Sequence, residues 1–204
     1  MTILSDFIHI YDDFLTQEDH IDVFKTLCQP VWGYGHKSDT RNPFSFWNIE
    51  FCGIKDSYPT EEEYNTFKNN YPAIERLWKN ILYKFNEKYI ISEFNRSYAN
   101  GHTFGNAGSI HKDDGDITFL YYSCPLWDPS WYGGTEFYTE DKMDIEKTAT
   151  YRPNRLVAFS ANKPHNAQAI ARECDQLRSV IVFKSTIDVN SPFYQKYYQD
   201  LRGL

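Results

Sequence analysis

The chain has no stretch near the roughly 20 consecutive apolar residues that cross a bilayer, so no membrane-spanning helix is expected. It has no cluster of Lys and Arg, and its formal net charge of −7 disfavours a general affinity for phosphate backbones. Nucleic acid is therefore an unexpected partner. The first residues, Met1-Thr2-Ile3-Leu4-Ser5-Asp6, hold neither a basic nor a continuous apolar region, so no secretory leader is expected. Cys28, Cys52, Cys124 and Cys174 are scattered without a CxxC pair. That spacing supports neither a zinc knot nor a disulfide framework, and reduced thiols in a cytoplasmic protein are the expectation. Repeats, low-complexity tracts and Gly/Ser linkers are also missing. Residues 1–204 are thus read as one domain, long enough to bury a core without staples.

What the chain has in plenty is aromatic side chains. They make up 18% of the residues, with 16 Tyr and 15 Phe, which suits a β-rich fold. Phe7-Ile8-His9-Ile10-Tyr11 reads as a first strand. Thr16, with Asp19 three residues on, reads as the cap of a helix that turns Ile21, Phe24 and Leu27 inward. Thr60 followed by Glu61, Glu62 and Glu63 starts a second helix, with acidic residues at the positive end of its dipole. After Pro72, the residues Ile74, Leu77, Trp78, Ile81, Leu82 and Phe85 form one apolar stripe of helical period. Ser191-Pro192 reads as the start of a last short helix. From about 90 to 184 the texture changes to short Val, Ile, Tyr and Phe runs broken by Gly, Asn, Asp and Pro. The runs Ile117–Tyr122, Thr135–Tyr138, Leu156–Phe159 and Val180–Phe183 indicate antiparallel strands in a sandwich or barrel. Helices first and strands later give an α+β class with a mainly β core: supporting elements over 1–89, the β core over 90–185 and a C-terminal helix over 186–204.

The segment Ser109-Ile110-His111-Lys112-Asp113-Asp114-Gly115-Asp116 carries the most chemistry. In an extended chain, residues two apart face the same way, so His111 and Asp113 aim an imidazole and a carboxylate at one point. A nitrogen and a hard oxygen suit Fe(II) or Mn(II) better than a closed thiolate site suits them. Taken alone, the triplet is more often a solvated acidic turn. Asp114 would face the other way, and Asp116 lies beyond the strand end. Of the remaining histidines, His9 falls on the first strand, His20 on the first helix, His36 in a Gly-rich loop and His102 in a turn, all structural or solvated settings. His165 follows Lys163-Pro164 just past a strand, and a second strand, Leu177–Lys184, lies downstream. A hairpin between them would bring His165 close to Arg178. On that strand Ser179, Ile181 and Phe183 share one face, and Arg178, Val180 and Val182 the other. An arginine among inward valines is costly unless it meets an anion, either a buried Asp or Glu or a ligand. Two histidines and a carboxylate leave three sites of an octahedron open, enough for a bidentate 2-oxo acid and O₂. The far carboxylate of that acid would suit Arg178.

From Tyr98 to Lys184 the chain resembles the catalytic core of the prolyl 4-hydroxylase-like branch of the iron(II)/2-oxoglutarate-dependent oxygenases. The matching pieces come in order: Tyr98-Ala99-Asn100-Gly101, His111-Lys112-Asp113, Leu120-Tyr121-Tyr122, Gly133-Gly134-Thr135-Glu136-Phe137, Arg152 to Phe159, His165, and Arg178-Ser179-Val180-Ile181. The segment Ile8 to Leu27 also looks like the family's opening. The resemblance implies a double-stranded β-helix (jelly roll) with supporting helices, and His111, Asp113 and His165 as ligands of Fe(II). It further implies Arg178 as the 2-oxoglutarate salt bridge, with Tyr98 and Tyr122 as cosubstrate contacts and Tyr121 facing away. Two departures stand out: many relatives carry lysine in place of Arg178, and the stretch from His165 to Arg178 is slightly long.

The activity implied is hydroxylation of an unactivated C–H bond, with release of succinate and CO₂ and with ascorbate as a possible supporting reductant. A prolyl residue in a peptide or protein is the expected substrate. A free amino acid, small metabolite or nucleobase is the alternative, and a non-catalytic jelly-roll binding module the third. Aromatic segments from Trp32 to Trp47 and from Trp127 to Tyr132 are read as rim loops that could contact substrate, or equally as packing. Gly133-Gly134 is read as a tight entry into the following strand.

Overall fold

In a computed structural model that describes residues 7–37, 44–54, 57–89 and 94–187, the caps and stripes of the sequence become three helices. Thr16 Oγ1 accepts from the Asp19 amide at 3.2 Å and opens α1 (Gln17–Leu27). A reciprocal capping box between Thr60 and Glu63 opens α2 (Glu61–Asn70). Pro72 sits at the first position of α3 (Pro72–Tyr89), where its missing N–H costs no hydrogen bond. No helix among the described residues is long and apolar enough to cross a membrane.

Ten strands accompany the helices among the described residues: β1 (Ile8–Tyr11), β2 (Gly33–His36), β3 (Phe46–Gly53), β4 (Arg96–His102), β5 (Ile117–Tyr122), β6 (Thr135–Tyr138), β7 (Ile145–Ala149), β8 (Arg155–Ser160), β9 (His165–Ala167) and β10 (Arg178–Ser185). A large sheet has the order β1-β8-β5-β10-β4-β3-β2, and a small one the order β7-β6-β9. Every pairing is antiparallel. The two sheets form the double-stranded β-helix, and the class is α+β.

Strand alternation divides the large sheet between two cores. Ala99, Phe119, Tyr121, Leu156, Ala158, Ile181 and Phe183 face the helices. There Trp78 of α3 stacks on Phe183, with ring centres 5.1 Å apart, and meets Phe94 and Phe119 edge-on. Leu120, Tyr122, Val157, Phe159, Val180 and Val182 face the other way and pack with Phe137 of the small sheet. The functional side chains belong to this second, concave face.

Three expectations of element order change. β2 and β3 precede α2, so the chain does not run helices first and strands later. In β3, apolar Ile49 and Phe51 alternate with Asn48 and Glu50, and that pattern pairs against β4. His36 is therefore on a strand, and so is His102, which closes β4 instead of lying in a turn. β7 is an exposed edge strand and β9 has three residues, too polar and too short respectively to signal themselves. The helix expected from Ser191 lies outside the described residues.

Asn154 joins the helical layer to the sheet. Its Oδ1 accepts from the Leu15 amide at 2.9 Å and from the Tyr121 hydroxyl at 2.8 Å, and its Nδ2 donates to the Leu15 carbonyl at 2.8 Å. Because the Tyr121 proton is spent on Asn154, the Nδ1–H of buried His20 donates to the phenol oxygen, at 2.6 Å. Asn154 also holds a left-handed backbone, φ 59°, which Asn tolerates better than alanine does. Asn154→Ala should therefore destabilise the fold by about 4 kcal/mol, from stranded buried polar groups plus backbone strain. Urea unfolding measures it; a loss below about 1 kcal/mol would mean that these bonds are dispensable.

Candidate metal centre

His111 and His165 face each other across an antiparallel bridge between the loop before β5 and the start of β9. Each backbone N–H donates to the other residue's carbonyl, both at 3.0 Å, which makes a closely paired couple. The rings lie 4.5 Å apart, centre to centre. Two residues on, the Asp113 amide donates to the Ala161 carbonyl at 2.8 Å and fixes the carboxylate between the rings. The loop then turns into β5 at Gly115, whose φ is +79°. A Cβ there would stand 2.8 Å from the Ser185 carbonyl oxygen, so the turn needs glycine.

Both imidazoles are oriented in the same way. Nδ1 of His111 donates to the Ser109 carbonyl and Nδ1 of His165 to the Lys163 carbonyl, each at 2.8 Å. With the proton on Nδ1, Nε2 keeps its lone pair. The two Nε2 atoms lie 3.3 Å and 3.4 Å from the Asp113 oxygens Oδ1 and Oδ2. One ligand atom from each residue fits within 4.8 Å of the others. Two outer-tethered imidazoles, each with Nε2 free to coordinate, and a carboxylate match in type the donor set of a non-haem Fe(II) centre. The neighbouring acids are engaged elsewhere. Asp114 pairs with Arg96 at 2.6 Å, and Asp116 accepts from the Ile187 amide at 2.8 Å.

The electrostatics prepare this set for a cation. Burial pushes the pKa of His165 down to about 4, so the ring is neutral at ordinary pH. Burial opposes ionisation of Asp113, but Lys184, with help from His165 and His111, outweighs it and holds the carboxyl well below its usual range. Lys184 comes from β10, is itself buried, and places Nζ on Asp113 Oδ2 and 3.2 Å from Thr118 Oγ1; Thr118 in turn donates to Oδ2 at 2.7 Å.

Arg178 stands at the other end of the inward face of β10 and is 1% exposed. Its Nε donates to the Gly133 carbonyl and its Nη2 to the Gly134 carbonyl at 3.3 Å. The guanidinium lies 5.9 Å and 5.8 Å from the ring centres of Tyr122 and Tyr151. Among the described residues no carboxylate pairs with it, so the internal Asp or Glu salt bridge left open by the sequence is not formed. A buried cation of this kind suits an anionic ligand. Tyr122 backs the arginine with its ring, and its hydroxyl bonds to Thr135 Oγ1 and the Ala149 carbonyl. Tyr121 points to the helices, as its parity requires.

A cavity of about 290 Å³ opens beside the triad, lined by His111, Asp113 and the inward residues Arg96, Tyr98, Asn100 and His102 of β4, with His36 and Phe46 beyond. His36 and His102, first read as structural or solvated, are thus part of the site's wall. Lys184 and Arg96 also escaped the sequence reading, although Lys184 shares the parity of Arg178, Val180 and Val182. The expected hairpin joining His165 to Arg178 does not form. β9 pairs with β6 in the small sheet, while β10 lies between β5 and β4 in the large one. The linking residues cross between sheets, held by the Tyr132–Ile170 bridge and by the Ala171 amide on the Trp131 carbonyl. That crossing accounts for the length of the stretch.

No family model and no curated protein matches the chain. Solved structures share its fold. An oxidoreductase of the 2OG-Fe(II) oxygenase family from Burkholderia pseudomallei superposes with a TM-score of 0.64 at 9% identity, over 89% of this chain and 85% of that one. A Trichoplax adhaerens prolyl hydroxylase, solved with a hypoxia inducible factor oxygen degradation domain peptide fragment, gives 0.59 at 16%, over 88% and 83%. A Pseudomonas putida prolyl-4-hydroxylase gives 0.57 at 12%, over 89% and 94%. At such identities the likeness is one of fold.

Two measurements test the electrostatics. Lys184→Met should cost the metal-free protein about 3 kcal/mol by leaving Asp113 buried without its partner, and saturating Mn(II) should recover much of the loss. Equal losses with and without Mn(II) would contradict the shared role of Asp113. The pKa values of buried His20, His102 and His165 are all lowered by burial. Below the unfolded value of about 6.5 the unfolded chain binds more protons than the native one, so stability is full above that pH and falls as acid is added. Each ring contributes up to about 1.4 kcal/mol per pH unit, and urea midpoints of the metal-free protein should drop between pH 7.5 and pH 5.5. A flat profile would exclude neutral burial.

Proposed function

We propose that this protein is an iron(II)- and 2-oxoglutarate-dependent oxygenase that hydroxylates an unactivated C–H bond. The observation that carries this reading is the pairing of two Nδ1-tethered imidazoles with one carboxylate, in a fold whose concave face also buries an arginine without a counter-ion among the described residues. His111, Asp113 and His165 would hold the metal, which when bound supplies the activation of O₂. The balance is one 2-oxoglutarate, one O₂ and one R–H consumed for one succinate, one CO₂ and one R–OH.

The protein's own residues do the positioning. Arg178 receives the far carboxylate of the cosubstrate on guanidinium donors braced by the Gly133 and Gly134 carbonyls. Tyr98 lines the cavity from β4, and Tyr122 keeps the guanidinium in a dry, polarisable setting. Lys184 and Thr118 hold the Asp113 carboxylate in one orientation, the role of outer partners at metal sites. Val180 and Val182, buried between Arg178 and Lys184 on the same face of β10, strengthen the contacts of those two side chains by excluding water.

The resemblance to prolyl 4-hydroxylases supports a prolyl residue of a peptide or protein as the substrate. A second reading, a free small molecule, is favoured by the polar and cationic lining of the cavity. Anaerobic addition of Fe(II) and 2-oxoglutarate should give a weak visible charge-transfer band. Asp113→Ala should abolish the band. Arg178→Ala should weaken 2-oxoglutarate binding by roughly 10- to 100-fold, the worth of a charge-assisted hydrogen bond, with a much smaller effect on iron affinity. A wild-type protein without the band, or a band unchanged in Asp113→Ala, would refute the assignment.

A further inference from the structure

The concave face of β4 presents Arg96, Tyr98, Asn100 and His102 to the cavity beside the triad. Three of the four carry buried polar atoms with no hydrogen-bond partner among the described residues: Arg96 Nε, Asn100 Oδ1 and both ring nitrogens of His102, which is 3% exposed. Buried polar groups are ordinarily paired, so four orphaned atoms along one cavity wall point to a ligand that supplies what they lack.

The register divides that wall into two ends. His102 lies opposite Arg178 and Arg96 opposite Lys184, six residues apart along β10. At a rise of about 3.3 Å per residue the Cα atoms of the two ends are roughly 20 Å apart, with the long side chains of Lys184 and Arg178 both reaching inward from them. Lys184 touches Asp113, so the triad belongs near the Arg96 end. A cosubstrate reaching from the triad towards Arg178 leaves Arg96 unused. Arg96 gives Nη2 to Asp114 but, among the described residues, has nothing on Nε. Lys37 and half-buried His36 stand beside it. Few apolar groups face this space; Phe46, Tyr98 and Ala167 are the main ones. Its volume is at the small end of ligand sites, which span about 300–1,000 Å³.

Building on the oxygenase reading, we propose that the primary substrate is a free amino acid rather than a prolyl residue within a peptide. Its carboxylate pairs with Arg96 at the end of the cavity remote from Arg178, and its ammonium group donates to Asn100 Oδ1. A carboxylate supplies the acceptor that Arg96 Nε lacks, and an N–H supplies the donor that Asn100 lacks. A peptide bond on either side of a prolyl ring would remove both charges and offer Arg96, whose Nη2 is already paired with Asp114, no anion for its Nε. Arg96 is then a specificity-determining residue, distinct in role from Arg178.

The test uses the Fe(II)- and 2-oxoglutarate-loaded protein in air, with succinate release as the readout. The probes are the 20 free L-amino acids, each beside its N-acetyl amide, and a blocked prolyl peptide. At least one free amino acid should accelerate succinate release, and its N-acetyl amide should be at least tenfold poorer. For that amino acid, Arg96→Met should raise KM at least tenfold with a much smaller change in kcat, and Arg96→Lys should fall between. The anaerobic charge-transfer band should persist in both variants, which separates loss of substrate binding from loss of the metal or of the fold. Stimulation by the blocked prolyl peptide alone would overturn the proposal. So would equal stimulation by acid and amide, or no stimulation by any amino acid while the band is present. Absence of the band in the wild type would instead fail the oxygenase reading itself.

Discussion

The reciprocal backbone hydrogen bonds between His111 and His165 are the constraint from which the rest of the centre follows. One histidine precedes a strand of the large sheet and the other begins a strand of the small sheet. Their bridge fixes the spacing of the two rings before any metal is considered. The small sheet carries the constraint onward: β9 is held by β6, and β6 follows Gly133 and Gly134, whose carbonyls take the Arg178 guanidinium. A Cβ on Gly134 would lie 2.5 Å from the Ala149 carbonyl oxygen, and Gly133 has a φ of +75°. The glycine pair thus does more than ease entry into a strand. It lets the backbone come close enough to hold an arginine.

Charge burial along β10 is compensated differently at its two ends. Lys184 is matched by Asp113, and the pair is sound only while both partners are present. Arg178 has carbonyl dipoles and aromatic faces but no opposite charge among the described residues. Between them Val180 and Val182 keep the strand dry, so each charge acts through a medium of low polarisability. The strand is therefore neutralised at the Asp113 end and, among the described residues, electrostatically incomplete at the Arg178 end.

Much of this site was legible because the sequence expresses it as spacing. His111 and Asp113 are two apart in an extended stretch, though only His111 is bridged. Arg178 shows as a charged residue in the apolar parity of a strand. The same parity reaches Lys184, but a lysine at a strand end reads as a solvated terminus, and only its closeness to Asp113 gives it a role. His36 and His102 belong to strands whose cavity face is polar, so their alternation runs opposite to the usual apolar interior. β9 is too short for any period. The pairing of His165 depends on a crossing between sheets, which contacts distant in sequence decide and which local pattern favours less than a hairpin.

Tyr121 and Tyr122 are neighbours with opposite duties: one holds His20 and Asn154 in the helical layer, and the other flanks Arg178 within the barrel. A slip of β5 by one residue would exchange them. It would also swing Thr118 away from Asp113 and send Phe119 into its place. The adjacent tyrosines therefore act as a proofreading mark on the assembly of the sheet, since a mispaired strand forfeits its anchor to the helices and its half of the metal pocket in the same step.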